Sequence, residues 1–189
     1  MRKIIVSEFV SLDGVMQGPG PDDSFEYAGW TMPYINEQFM AYKLSELVAS
    51  EALLLGRITY EGFAKAWPGR QDKEGFADKM NSMQKYVVST TLTTATWNNT
   101  TIISDDVVAK ILALRQSDGG DILVNGSAQL VDTLMENNLV DELRLLVYPV
   151  VVGKGKKLFG GNTHTLLKLV SSEVYDTGVA LLTYQPAHA

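Results

Sequence analysis

The sequence predicts an α/β protein of three layers, α/β/α, around a mixed, mostly parallel central sheet that becomes antiparallel at its C-terminal edge. Three observations predict this. Short β-rich apolar runs alternate with helical patterns through most of the chain. Two of the runs, ALLLG and DILVNG, are apolar at consecutive positions, as strands covered on both faces are. The last third, ELRLLVYPVVVG and then TLLKLVSSEVYDTGVALLTYQP, carries strands with no helix between them, which implies antiparallel pairing at that edge.

In chain order, KIIVSEFV is a strand, and SLDGVMQGPGPDD follows as a Gly/Pro/Asp loop too long for a simple turn, the kind that often serves as a lid. From Pro33 to Ser50 the residues Met40, Leu44, Leu47 and Val48 recur at helical spacing, with Pro33 suited to a first turn. ALLLG is a buried strand and RITYEGFAKAW a short helix. KYVVST and TTIIS are strands. Val107, Val108, Ile111, Leu112 and Leu114 mark a helix that opens behind Ser104 or Asp105 as its cap. DILVNG is another buried strand, with SAQLVDTLMENN helical behind it. Internal repeats, linker-like composition and low-complexity tracts are absent, so residues 1–189 are expected to form one domain with helices on both sheet faces.

Composition narrows the chemistry. With 46% hydrophobic and 20% charged residues the chain is globular, and no apolar run approaches the length that spans a bilayer. MRKIIVSEFV runs straight into a strand pattern without an apolar leader core or a small-residue cleavage site, which predicts a soluble, cytoplasmic protein with no membrane partner. Zero cysteines exclude thiolate zinc sites, disulfides and cysteine nucleophiles. Two histidines, His164 in GGNTHT and His188 in the tail, read as exposed bystanders, and no metal site is expected. A formal charge of −6 argues against a nucleic-acid partner, which normally shows as a basic face, while local phosphate sites stay open.

In an open α/β sheet a ligand lies outside the carboxyl ends of parallel strands, where turns lead into helix N-termini. Three such junctions are visible. LLLGRITY carries Arg57 and Thr59. VVSTTL places Ser89, Thr90 and Thr91 just past a strand. ILVNGSAQL forms a turn with Asn125, Gly126 and Ser127 at a helix start. Gly126 permits close backbone approach, and the amides behind it suit a pyrophosphate. A guanidinium at a helix N-terminus opposes the helix dipole, so Arg57 reads as provision for an anion. Against these stand plain alternatives: a surface arginine, a polar STT turn and a common Asn-Gly turn. Neither G-x-G-x-x-G after the first strand nor G-x-x-x-x-G-K-[ST] is present. GKGKKLFGG, at 153 to 161, leads to no helical pattern and reads as a β-turn with solvated lysines.

The three junctions in this order, with SLDG after the first strand and VVVGKGKKLF near the end, resemble the dihydrofolate reductase-like superfamily. The likeness is greatest to the riboflavin-biosynthesis reductase (RibD) C-terminal domain-like family, and LLLGRITYEGF is its most specific piece. The resemblance covers nearly the whole chain. It implies a mixed eight-stranded sheet, NADPH as hydride donor and a homodimer. It also implies that Arg57 and Thr59 meet the cofactor's phosphates, that Ser89 and Thr90 meet its 2′-phosphate, and that Gly126, Ser127, Ala128 and Gln129, following Asn125, hold its pyrophosphate. Asp13 is the candidate polar group beside the nicotinamide, the alternative being an Asp-Gly turn residue. Trp30, Tyr34, Trp67 and Phe39 are candidates for a flat apolar slot that takes a planar heterocycle, or else core residues.

Departures from the family pattern bear on substrate. Folate-reducing members carry an acid within a Trp-x-x-Pro-x-acid stretch, whereas WTMPYINE places Ile35 there, with Asn36 and Glu37 beyond. Folate reduction is therefore expected to be poor, with Glu37 pointing away along a helix and Asp13 or Glu26 as replacement acids. The reading at this point is an NADPH-dependent reductase of a small pterin- or pyrimidine-like heterocycle. Its alternatives are the 5-amino-6-(5-phosphoribosylamino)uracil reductase of riboflavin synthesis and a nucleotide-binding dimer that has lost catalysis. Two structural expectations follow from the same likeness and from ELRLLVYPVVVG: a cis peptide at Asn125–Gly126, and dimerisation through that apolar stretch with Pro149 at an edge or bulge.

Overall fold

A computed structural model describes residues 1–21, 24–160 and 164–187. Its strands are β1 (Ile4–Ser11), β2 (Ser50–Gly56), β3 (Gln84–Val88), β4 (Thr100–Ile103), β5 (Asp121–Val124), β6 (Glu142–Tyr148), β7 (Leu167–Val174) and β8 (Ala180–Pro186). They form one sheet in the order β4-β3-β2-β5-β1-β6-β8-β7. Neighbours from β4 to β6 are parallel, and β8 pairs antiparallel with both β6 and β7. The helices are α1 (Glu37–Ala49), α2 (Arg57–Ala66), α3 (Phe76–Ser82), α4 (Val107–Gln116) and α5 (Ala128–Glu136). Residues of α4 and α5, among them Ile111, Leu130 and Leu134, pack with Ile4, Val6 and Leu54 on one face. Leu47 of α1, Tyr60 of α2 and Met80 of α3 pack with Ile5, Leu53 and Leu55 on the other. The expected three layers and eight strands are present. The apolar run Leu53–Leu55 is fully buried because β2 lies inside the sheet with helices on both sides.

Several local expectations need correction. The helix expected from Pro33 starts at Glu37, because Asn36 is extended and its side chain accepts from the Phe39 amide at 2.9 Å, while Met32–Tyr34, including Pro33, make a separate 3₁₀ turn. Its buried side chains are Phe39, Glu46 and Leu47, and Met40 and Val48 are exposed. The cap of α4 is Asp106, in the left-handed region at φ 43°, with Asp105 paired to Lys110. Helix α3 has no strong periodic signal: it is seven residues long, buries only Ala77 and Met80, and is closed by Asp72, which accepts from the Phe76 amide at 2.7 Å. β8 lies between β6 and β7, so the C-terminal strands are not a simple meander. β6 is consequently an interior strand, and the open edge on that side is β7. Pro149 follows the end of β6 rather than interrupting a ladder.

Helix α1 is fastened to the sheet by a buried ionic cluster. Glu46, with a fully buried side chain, pairs with Lys43 and Arg144, and accepts from the Ser7 hydroxyl at 2.9 Å and from the Tyr42 hydroxyl at 3.1 Å. Burial pushes its carboxyl up, but Lys43, Ser7 and Arg144 together outweigh that, and it ionises below the usual 4.5.

Two turns at the carboxyl ends of β2 and β5 interlock, and glycine is required in each. Gly56 has an ordinary φ of −81°, yet a Cβ there would stand 2.6 Å from Ser127 Cβ and closer still to its hydroxyl. Gly126, at φ +68°, would bring a Cβ to 2.9 Å from Thr59 Cγ2 and closer still to Oγ1. Each turn therefore rests directly on the hydroxyl residue of the other.

Two predictions follow from this packing. Glu46→Ala leaves Lys43 and Arg144 facing an uncompensated hole and lowers the unfolding free energy in urea by about 3–5 kcal/mol. A carboxyl depressed in the folded state stabilises above its unfolded value, so this contribution is complete at neutral pH and is lost as pH falls below 4.5, a slope that the variant lacks. Gly56→Ala lowers stability by about 1–3 kcal/mol through overpacking, whereas Gly62→Ala, within α2 and facing open space, raises it by about 0.5–1 kcal/mol.

Candidate functional site

The β2–α2, β3 and β5–α5 junctions lie at one end of the sheet, because β3, β2 and β5 are adjacent and parallel. Arg57 is the first residue of α2, half-exposed, with Nη1 donating to Glu61 at 2.9 and 3.1 Å. A solvent-facing i,i+4 pair of this kind is worth only a few tenths of a kcal/mol, so the guanidinium is readily exchanged to another anion. Thr59 sits against Gly126. Helices α2 and α5 both begin without a side-chain cap, which leaves their first-turn amides for another acceptor. At α5 those amides belong to Ala128, which is buried, and Gln129, which is exposed.

Other candidates are already engaged. The Ser89 hydroxyl, nearly buried, accepts from the amides of Thr91 at 3.2 Å and Leu92 at 2.9 Å, closing the turn after β3, while Thr90 and Thr91 are exposed. Asn125 donates through Nδ2 to the Ser7 carbonyl at 2.9 Å, and Ser127, at φ +65°, seats its side chain over Gly56. The described residues contain no cis peptide bond, so the Asn125–Gly126 expectation is corrected: two successive left-handed residues, Gly126 and Ser127, turn the chain there instead.

Asp13 behaves as the turn residue. It accepts from the Ser11 hydroxyl at 2.7 Å and from the amides of Val152 at 3.0 Å and Gly153 at 2.8 Å, and these bonds hold its carboxyl down at about 2. It thereby staples the loop after β1 to residues 152 and 153, and the isolated bridge between Val15 and Lys157 continues the contact. The segment read as a solvated basic turn is thus packed on the first loop, with Lys156 and Lys157 exposed and Lys154 paired to Glu26. Glu26 thus faces Lys154 in an exposed pair, as readily exchanged as that of Arg57 with Glu61.

The aromatic candidates separate. Trp30, Tyr34 and Phe39 join Phe9 and Tyr148 in one cluster, with Trp30 and Tyr34 edge-on to Tyr148 at 5.3 and 5.6 Å. Trp67 belongs to the cluster under α2 and α3, packed on Phe76 at 5.2 Å, and does not share their slot. Trp30 also donates to the Gln17 carbonyl at 2.8 Å and lines an open groove of about 450 Å³ between residues 27–30 and 150–152. Ile35 is extended and 40% exposed, so the helical argument that turned Glu37 away from it does not apply. His164 is exposed, and His188 lies outside the described residues.

One residue was passed over. Glu8 follows Ile4 and Val6 at alternate positions of β1, where the strand period calls for another apolar side chain, and the acid inside KIIVSEFV was the available signal. It is 4% exposed. Oε2 accepts from the Gly126 amide at 3.1 Å, and Oε1 is buried with no partner among the described residues. Burial pushes its carboxyl up to about 8, against the opposing pull of the Gly126 amide and Lys43 and with a smaller push from Glu46. A neutral acid therefore stands at the turn where two junctions interlock.

Known proteins share this sequence and arrangement. The chain is 28% identical to the uncharacterized protein YyaP of Bacillus subtilis (strain 168) over 187 residues, covering 97% of this chain and 94% of that one. A putative riboflavin biosynthesis protein from Shewanella sp. PV-4 has a similar fold, with a TM-score of 0.68 and 18% identity over 98% of this chain and 99% of that one. Dihydrofolate reductase from Enterococcus faecalis, solved with NADP(H), has a TM-score of 0.63 and 16% identity over 98% and 97% of the two chains. Residues 2–181 match the RibD C-terminal domain. With that match spanning nearly the whole chain, on a dihydrofolate reductase-like sheet, the protein belongs to the RibD C-terminal domain family.

Proposed function

We propose that the protein is an NADPH-dependent reductase that transfers a hydride to a small planar heterocycle of pterin or pyrimidine type. The observation that carries this reading is the pair of uncapped helix N-termini, α2 and α5, brought side by side by the Gly56 and Gly126 contacts. Amides and a half-exposed guanidinium in that arrangement suit a diphosphate, and an NADP(H)-bound reductase shares the fold. NADPH when bound would supply the hydride. Arg57 and Thr59 would meet its phosphates, the amides of Ser127, Ala128 and Gln129 its pyrophosphate, and Thr90 with Ser89 its 2′-phosphate. The interlocked turns hold these groups on strand ends rather than on free loops, which fixes their spacing. The groove beside Trp30 and Tyr34 offers apolar walls for a flat ring.

The riboflavin-pathway uracil reductase is the second reading, favoured by the family itself. Its phosphorylated ribose would call on basic residues, for which Lys154, Lys156 and Lys157, exposed on the segment packed against the first loop, are the candidates.

We also infer a homodimer, formed through β7 rather than through β6. Among the described residues β7 has a strand partner on one side only, and it exposes Leu169, Val170 and Val174, together with Leu166 just before it. An open apolar edge invites pairing with its own copy.

Two measurements test these assignments. Calorimetry should show NADPH binding more tightly than NADH, and Arg57→Ala should weaken NADPH by about 1.5–3 kcal/mol, roughly ten- to a hundredfold. Equal affinities, or an unaffected variant, would end the cofactor assignment. Light scattering at micromolar concentration should give twice the chain mass for the wild type and a monomer for Val174→Asp, whereas a monomeric wild type removes the dimer.

A further inference from the structure

We propose that Glu61 is a movable counter-ion that sets how tightly the cofactor is held: it neutralises Arg57 in the free protein and passes along α2 to Lys65 when a phosphate takes its place. This rests on the reductase reading above, whose phosphate assignments bring an anion to Arg57. Arg57, Glu61 and Lys65 stand four positions apart on α2, so they share one face of the helix. Glu61 therefore has a cation one turn away on either side. The structure pairs it with Arg57 and, among the described residues, not with Lys65.

That choice does little for the helix. At this spacing the better order places the acid N-terminal to its cation, which Glu61 with Lys65 satisfies and Arg57 with Glu61 reverses. Lys65 lies in the last turn, where the helix dipole favours a cation, whereas Arg57 is the first residue, where the dipole opposes one. The same first turn has no side-chain cap and no acid, so a guanidinium stands beside free amides with nothing negative near it except Glu61. The carboxylate thus fills from within the place that a phosphate suits.

The contact is also made in a way that lets it be exchanged. Both carboxylate oxygens lie on Nη1, at 2.9 and 3.1 Å, so Glu61 leaves the guanidinium edge formed by Nε and Nη2 unused. A phosphate can dock on that edge, in the forked geometry a guanidinium offers, before the pair separates. Both side chains of the pair are 41% exposed, so little holds it together. Once two anions share one cation they repel, and the carboxylate gains by turning to the exposed Lys65.

Calorimetry with NADPH on the wild type and Glu61→Gln tests this. Glutamine keeps the length and helix propensity of the side chain and removes its charge. NADPH should bind the variant about two- to fivefold more tightly at low salt, the scale of an exposed ion pair. The gain should fade as salt is raised, and it should be absent in the Arg57→Ala background, which a general effect of net charge would not produce. A crystal structure of the NADPH complex should show Glu61 turned from Arg57 to Lys65. A glutamine variant that binds NADPH no more tightly than the wild type, a gain that persists without Arg57, or a complex in which Glu61 still holds Arg57 overturns the exchange and leaves the reductase reading standing. A wild type that binds no NADPH overturns the reductase reading, and the role of Glu61 falls with it.

Discussion

The contact of two turns through two missing β-carbons is the constraint on which the rest of the site depends. β2 and β5 are parallel neighbours, so the turns that follow them emerge at the same end of the sheet and compete for the same space. Gly56 gives that space to Ser127, and Gly126 gives it to Thr59. Side chains on both glycines would separate the turns, and with them the N-termini of α2 and α5. The same packing aims the Gly126 amide back at β1, where it meets Glu8.

Three carboxyls show how environment assigns different work to one functional group. Glu46 is buried but surrounded by Lys43, Arg144 and two hydroxyls, so it stays charged and ties α1 to β1 and β6. Asp13 stays charged because a hydroxyl and two backbone amides converge on it, and it joins the loop after β1 to the segment after β6. Glu8 has one amide and, among the described residues, no adjacent cation in hydrogen-bond contact, so burial prevails and pushes its carboxyl up to about 8. Ion pairing makes the first structural, amide capture makes the second structural, and only the third keeps a proton near neutrality.

Most of the architecture was legible because its signals are local. Consecutive buried leucines in β2, the period of α5 and the turn dipeptide at Asn125–Gly126 each depend on a few neighbouring residues. What was not legible depends on distant partners. Nothing local distinguishes a strand order of β6-β8-β7 from a meander, since the order is decided by which strand covers β6. Asp13 looks equally like a turn residue or a site residue until Val152 and Gly153 arrive from more than a hundred positions away. Asn36 caps α1 so that it starts at Glu37, four residues after the Pro33 at which the sequence suggested a first turn, because a cap is chosen by backbone geometry and not by period. Glu8 was readable as an anomaly of pattern, but its surroundings needed the register that carries it two residues past the end of β5, against the Gly126 amide.

Glu8 and the position of Ile35 differ in how firmly the fold holds them. Folate-reducing relatives by resemblance place their acid near the start of the first long helix, where this chain has Ile35, extended and partly exposed, beside a capping Asn36. Asn36 is committed to the Phe39 amide, so an acid one residue earlier would stand on a bend between a 3₁₀ turn and a helix, free to adjust with that bend. Glu8 stands on a central strand flanked by Val6 and Val10, both buried, and its carboxyl is oriented by a backbone amide. A group held on such an element keeps its geometry more closely than one on a connection.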